Sequence, residues 1–222
     1  MNRPAGRNVN EREIPVVVEL GYKLRPLAIY PEFLPDGYRY LGVEHGPALR
    51  RQFEQDARIH RREFGARAPH RSIVANLERQ LSAARKRAEG MYPGRVQFKE
   101  VTKASIPLGD GSVQEVWAAN VLSDPTVKSR EIAAILAEVR RALRVGGSLV
   151  VVEDTTGRSL TEIERRLGES RLESVEDGVV REAFAKRVQR YLNENEQRAE
   201  QLRKRGQVFP KFNRLYVLTR RS

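Results

Sequence analysis

The sequence predicts an α/β fold: a mainly parallel sheet with helices on both faces. Three observations lead there. Short valine-rich runs such as "VVVEL" and "SLVVV" recur between turn signals, as strands buried on both faces do. Amphipathic segments of helical period separate them. One stretch, residues 113–153, reads strand, helix, glycine pair, strand, which is a βαβ unit and implies parallel pairing through a right-handed crossover.

Taken in order, strands are expected near 14–20, 38–44, 96–102, 113–119 and 148–153. The strand-like run at 113 extends as far as Leu122, and the one at 96 alternates apolar and polar residues, which suits a position nearer an edge. Arg214–Thr219, "RLYVLT", reads as a last strand. The clearest helix carries Ile132, Ile135, Leu136, Val139 and Leu143 on one stripe. Asp124-Pro125 would start it and Gly146-Gly147 would stop it. Two further helices, Pro47–Phe64 and Pro69–Glu89, flank the breaker "GARAP". The second shows a narrow stripe of Ile73, Leu77 and Leu81. Val180, Phe184, Val188 and Leu192 mark one more helix, running on into the charged "NENEQRAEQLRKRG". The expected organisation is one domain over 1–222 with basic helical insertions at 47–90 and 179–206.

Charge is concentrated. The net charge is +12, yet residues 50–95 carry +7 and residues 181–222 carry +8. The rest is slightly acidic. Clustered positive charge attracts polyanions such as RNA or DNA, while a uniformly solvated surface would spread it. The compact triplet Arg85, Lys86 and Arg87 is the expected nucleic-acid contact. The absence of cysteine excludes disulfides and thiolate metal sites. His45, His60 and His70 are the only histidines and form no HxH or HExxH spacing, so no metal is expected. The polar start "MNRPAGRNVNERE" has no apolar signal region, and no run is long enough to span a membrane. A soluble cytoplasmic protein is the simplest reading.

The stretch Ile106 to Asp154, "IPLGDGSVQEVWAANVLSDP…EVRRALRVGGSLVVVED", resembles the second half of a class I S-adenosylmethionine-dependent methyltransferase. The matching residues are Pro107, Asp110-Gly111-Ser112, Glu115, Asn120, Leu122, Glu138 through Leu143, and Gly146-Gly147. "VVVELG" is similar to that family's first strand and "YLGVEHGPAL" to its second strand and turn. "RLESVED" and "NRLYVLT" are similar to its last two strands. The resemblance covers about two-thirds of the chain and leaves the basic helical segments outside. It implies a Rossmann-like sheet with an antiparallel last strand and S-adenosylmethionine as cofactor.

The resemblance also implies a site. Glu19 and Gly21 would meet the amino-acid end of the cofactor, Glu44 at the end of the second strand would accept the ribose hydroxyls, and Thr102 would face the adenine. Asn120 would orient an acceptor, and His45 or Asp154 would serve as base. The family's glycine-rich turn is altered, because Lys23 and Arg25 stand where two of its glycines would be. Thr102, followed by Lys103, stands where the family often has an aspartate. Lys23 and Arg25 either point towards an anionic substrate or fill the pocket. Arg25-Pro26 also reads as the start of a first helix. A dinucleotide oxidoreductase is disfavoured, since no further glycine follows Gly21 before Gly37. Two classes remain: a methyltransferase acting on RNA or another anionic macromolecule, and a non-catalytic methyltransferase-like module that binds nucleic acid or an acidic protein through its basic helices.

Overall fold

The computed structural model describes residues 14–64, 69–153, 160–204 and 214–222. Seven strands form one sheet: β1 (Val16–Leu20), β2 (Arg39–His45), β3 (Val96–Val101), β4 (Val113–Ala119), β5 (Leu143–Glu153), β6 (Glu173–Ser174) and β7 (Arg214–Thr219). Their order is β3-β2-β1-β4-β5-β7-β6. The first five are mutually parallel, and β7 runs antiparallel to both β5 and β6. The order reverses beside β1, so the carboxyl ends of β1 and β4 open a crevice there.

Period-two alternation sorts the sheet into two buried faces. Val18, Leu41, Val116, Leu149 and Val151 pack against α3 (Ser129–Ala142) and α4 (Leu160–Glu169). Val17, Tyr40, Trp117, Val150 and Val217 face the opposite way. That second face is covered by a single 3-10 turn at Leu27–Ile29, by Ala88 of α2 (His70–Met91), and by Val188 and Tyr191, between and within α5 (Gly178–Arg187) and α6 (Gln189–Lys204). Arg187 ties α5 to β4. Its guanidinium bonds both oxygens of the buried Glu115 at 2.9 and 2.7 Å and lies over the Phe33, Trp117 and Phe184 rings.

Several sequence boundaries move. Ile14 is exposed and the first strand starts at Val16. The chain after Pro26 forms only the 3-10 turn, not a helix, because the prolines at 31 and 35 follow at once. α3 ends at Ala142, and the backbone is already extended from Leu143, well before the glycine pair. The Gly146 amide then donates to the Arg220 carbonyl, which draws the glycines into β5. The β4 ladder stops at Ala119, since Asn120 takes a positive φ of 54°. The stripe from Val180 to Leu192 is broken at Val188 into two helices.

The basic segment between β2 and β3 is a helical hairpin. α1 (Gly46–Phe64) starts directly after β2 and packs Leu49 and Phe53 against Tyr22 and Leu81. On α2 the apolar stripe runs through Val74, Leu77 and Leu81, and Arg85 continues it at helical spacing. Arg85 lies over the rings of Tyr22 and Phe98 and bonds Glu100 at 2.9 Å. The expectation that the whole 85–87 triplet faces solvent is therefore corrected: Lys86 and Arg87 do, and Arg85 does not.

Candidate functional site

A cleft with about 800 Å³ of free space, its open mouth included, lies at the carboxyl ends of β1, β2 and β4. Leu49 from α1, Val101 at the end of β3, Ile106 from the β3–β4 connection, Val127 and Ile135 make it largely apolar. Gly21, Lys23, Glu44, His45, Lys103, Asp124, Glu131 and Glu138 bring polar groups to its wall.

Glu44 is the last residue but one of β2 and is only 4% exposed. One oxygen accepts from the Lys23 amide at 2.9 Å and the other from the His45 amide at 3.2 Å. Burial pushes its carboxyl up to about 7, against the pull of those amides and of the Lys23 charge. Each oxygen keeps acceptor capacity towards the cleft. His45 also lines the cleft, and its Nε2 lies 2.9 Å from the Thr102 carbonyl. A carbonyl can only accept, so Nε2 donates, and in the neutral ring Nδ1 is the acceptor.

The turn after β1 is held from several sides. Gly21 has φ +61°, and its amide donates to the Val43 carbonyl at 2.9 Å. A Cβ there would come within 2.8 Å of the Val121 side chain. The close approach that Gly21 permits is thus filled by the loop after β4. Lys23, itself at φ 45°, reaches across the cleft to the Asp124 carboxylate and lies 3.4 Å from the Asn120 carbonyl. Burial raises the Asp124 carboxyl, but Lys23 and the Thr126 donors outweigh it and hold it below the usual range. Arg25 points elsewhere, 3.7 Å from Glu194 of α6.

Other expected residues sit apart from the cleft. Glu19 shares the parity of Val17, so it lies on the other face of the sheet. There its Oε2 accepts from the Leu27 amide at 2.7 Å and from the Tyr40 hydroxyl. Burial pushes it up to about 8 despite those donors. Thr102 is exposed, and its neighbours Lys103, Ala104 and Ser105 line the cleft in its place. The Asn120 side chain donates to the Tyr191 hydroxyl at 3.1 Å, tying the β4 loop to α6. Asp154 lies outside the described residues.

Two residues that the sequence did not single out shape the site. Glu153, fully buried at the end of β5, accepts from the amides of Val121, Leu122 and Ser123 and from the Ser123 hydroxyl. It fixes the loop that meets Gly21. Arg141 bonds the carbonyls of Ile106 and Leu108 and the carboxylates of Glu138 and Asp110, which pins the β3–β4 connection. A carboxylate just after a valine run is a visible signal for the first. The second lies inside the quoted "EVRRALR" motif, but only the fold shows what it reaches.

No family model matches the chain, and no curated protein matches it in sequence. Solved structures do match in fold. YcgJ from Bacillus subtilis is 15% identical, with a TM-score of 0.52 over 95% of this chain and 94% of that one. Geranyl diphosphate C-methyltransferase from Streptomyces coelicolor A3(2), solved with Mg2+, geranyl diphosphate and S-adenosyl-L-homocysteine, is 14% identical, with a TM-score of 0.52 over 93% and 71%. A SAM-dependent methyltransferase from Methanosarcina mazei is 12% identical, with a TM-score of 0.50 over 95% and 94%. The chain has the Rossmann-like fold of class I methyltransferases, with seven strands in a mostly parallel sheet and antiparallel pairing at its end. Among the described residues no helix is long and apolar enough to cross a membrane, and no group of three His, Asp or Glu side chains is placed to hold a metal.

Proposed function

We propose that the chain is a cytoplasmic S-adenosylmethionine-dependent methyltransferase, a single domain whose acceptor is RNA or another anionic macromolecule. The observation that carries this reading is Glu44: a buried carboxylate at the carboxyl end of β2, beside the switch point, facing an apolar cleft. Those residues fit a nucleoside. Glu44 accepts the ribose hydroxyls, and Val101, Ile106 and Leu49 cover a flat base. The paired charges of Lys23 and Asp124 match the carboxylate and ammonium of an amino-acid end.

S-adenosylmethionine, when bound, supplies an already activated methyl group, so the protein's task is alignment and desolvation. His45, which lines the cleft, is the base in this reading: with Nε2 on the Thr102 carbonyl, its Nδ1 takes the proton of an incoming nucleophile. The basic face of α1 lies beside the mouth, where Arg51 sits 3.8 Å from Glu131 and an anionic acceptor would approach.

Calorimetry with S-adenosylmethionine and with S-adenosylhomocysteine tests the reading. The wild type is expected to bind both, and Glu44→Ala to lose about ten- to a hundredfold in affinity. One observation favours the second class, a non-catalytic module: Lys23 and Asp124 are already paired with each other, so a ligand's amino-acid end would have to part them. Absence of binding at millimolar ligand would establish that reading instead.

A further inference from the structure

We propose that the cavity between α3 and α4 is a second anion site, built for a small molecule that carries a phosphate group. It holds about 640 Å³ of free space, its open side included, and Arg140, Arg166 and Arg171 converge on it. Its floor is Leu136 with the small side chains of Ala133 and Ala137, which leave a groove between the two helices.

Two of the three arginines, Arg140 and Arg171, are not consumed by partners among the described residues. Arg140 makes no hydrogen bond or ion pair among the described residues; its Nε is buried, so its terminal nitrogens are the groups left for a ligand. The Nε of Arg166 is buried too, while its NH1 lies 3.1 Å from Glu169. Glu169 is also shared with Arg165 at 2.5 Å. Arg171 has φ 60°, a conformation that L side chains rarely adopt, and the turn that carries it is braced by the Ser170 hydroxyl on the Leu167 carbonyl. A strained arginine at a cavity wall is an outlier of the kind that marks binding sites.

Charge selects the ligand. Three guanidinium groups and one carboxylate line the cavity, a surplus of two positive charges. A phosphate monoester near neutral pH carries close to two negative charges and offers three acceptor oxygens. Planar guanidinium forks match those oxygens two at a time. The alanine floor suits an apolar group attached to the phosphate. This site is independent of the nucleoside cleft. Ala133, Leu136, Ala137 and Arg140 lie on one side of α3, and Glu131, Ile135 and Glu138, which line the cleft, lie on the other.

Titration of the full chain with inorganic phosphate and with phenyl phosphate, followed by calorimetry in a chloride buffer, tests the proposal. Both are expected to saturate, phenyl phosphate more tightly because of the apolar floor. Tighter binding of inorganic phosphate would assign the site to the free ion. The double variant Arg140→Gln/Arg171→Gln, checked for folding by circular dichroism, is expected to lose at least about tenfold in affinity. Lys23→Ala, in the other cleft, is expected to leave it unchanged. No saturation by either probe up to about 10 mM, an unaltered affinity in the double variant, or loss of binding in Lys23→Ala would each overturn the proposal.

Discussion

The Lys23 ammonium and the Asp124 carboxylate form an ion pair that joins the turn after β1 to the loop after β4. The Asp124 side chain is 3% exposed and that of Lys23 is 32% exposed, so the pair is more than a surface decoration. Removing Lys23 would leave a buried carboxylate, but the Thr126 amide and hydroxyl would still donate to it. Lys23→Ala is therefore expected to cost about 1–3 kcal/mol, below the full penalty for breaking a buried pair. The pH dependence gives the sign. Asp124 has a lowered pKa, so its contribution is present above the usual aspartate value of 3.8 and is lost as pH falls through its folded value. Urea denaturation of both proteins at pH 7 and below pH 4 should show the difference shrinking in acid. A constant difference would separate Asp124 from Lys23.

Glu19 predicts the opposite pH trend. Its carboxyl is raised from 4.5 to about 8, so the folded protein holds a proton that the unfolded chain releases. That contribution is full below about 4.5 and lost as pH rises through about 8. Glu44, raised to about 7, acts in the same direction. Wild-type stability should fall between pH 5 and 8. Glu19→Gln keeps the shape and the acceptor towards Leu27 but cannot ionise. It should match the wild type near pH 5, exceed it at pH 8, and flatten the slope without abolishing it. Equal slopes for the two proteins would contradict the assignment.

Most of the sheet was legible because a strand buried on both faces must be apolar on both, and β1, β2, β4 and β5 are. The site was less so. Glu19 and Glu44 look alike in sequence, as acidic residues near strand ends, and they share the parity of Tyr40, since Glu19 pairs with Gly42. Glu44 lies two register positions further towards the carboxyl end, which brings it to the cleft while Glu19 stays within the sheet's buried face. Arg85 sits in a basic triplet that reads as solvated, but its guanidinium covers two aromatic rings that come from other parts of the chain. Gly21 lines the cleft as the sequence suggests, but only the fold shows that Val121 from another strand's loop fills the space beside its Cα.

Gly21→Ala therefore carries two penalties. The left-handed backbone at φ +61° costs a residue with a Cβ about 1–2 kcal/mol, and the new methyl would press on Val121 at 2.8 Å. The single variant is expected to lose about 2–3 kcal/mol in all. Adding Val121→Ala should recover the clash relative to Val121→Ala alone and leave the backbone part. A double-variant cycle with no coupling would show that the loop simply moves aside.

A nucleic-acid contact needs cations that are free of protein partners. Charge reversal at Arg85 is a poor test, because that side chain packs on Tyr22 and Phe98 and bonds Glu100. Arg85→Glu should destabilise the fold whatever the protein binds. The structure supplies a better set. Arg50, Arg58, Arg61 and Arg62 are exposed along α1 and have no hydrogen-bond or ion-pair partner among the described residues. Their spacing places them on one arc of that helix, whose other side lines the cleft through Ala48, Leu49 and Gln52. If this row holds phosphates, RNA affinity should fall steeply with salt as counterions are released. Reversing Arg58, Arg61 and Arg62 together should weaken binding across sequences, and each lost contact should reduce the salt slope by about 0.7 to 0.9. Reversing Lys86 and Arg87, which are exposed on the second helix of the hairpin, tests that part of the sequence expectation separately. Melting curves separate loss of fold from loss of contact. An acidic protein partner would compete with RNA without that slope. If the wild type binds neither RNA nor DNA below about 100 μM at roughly 50 mM salt, the arginines of α1 are a solvated face.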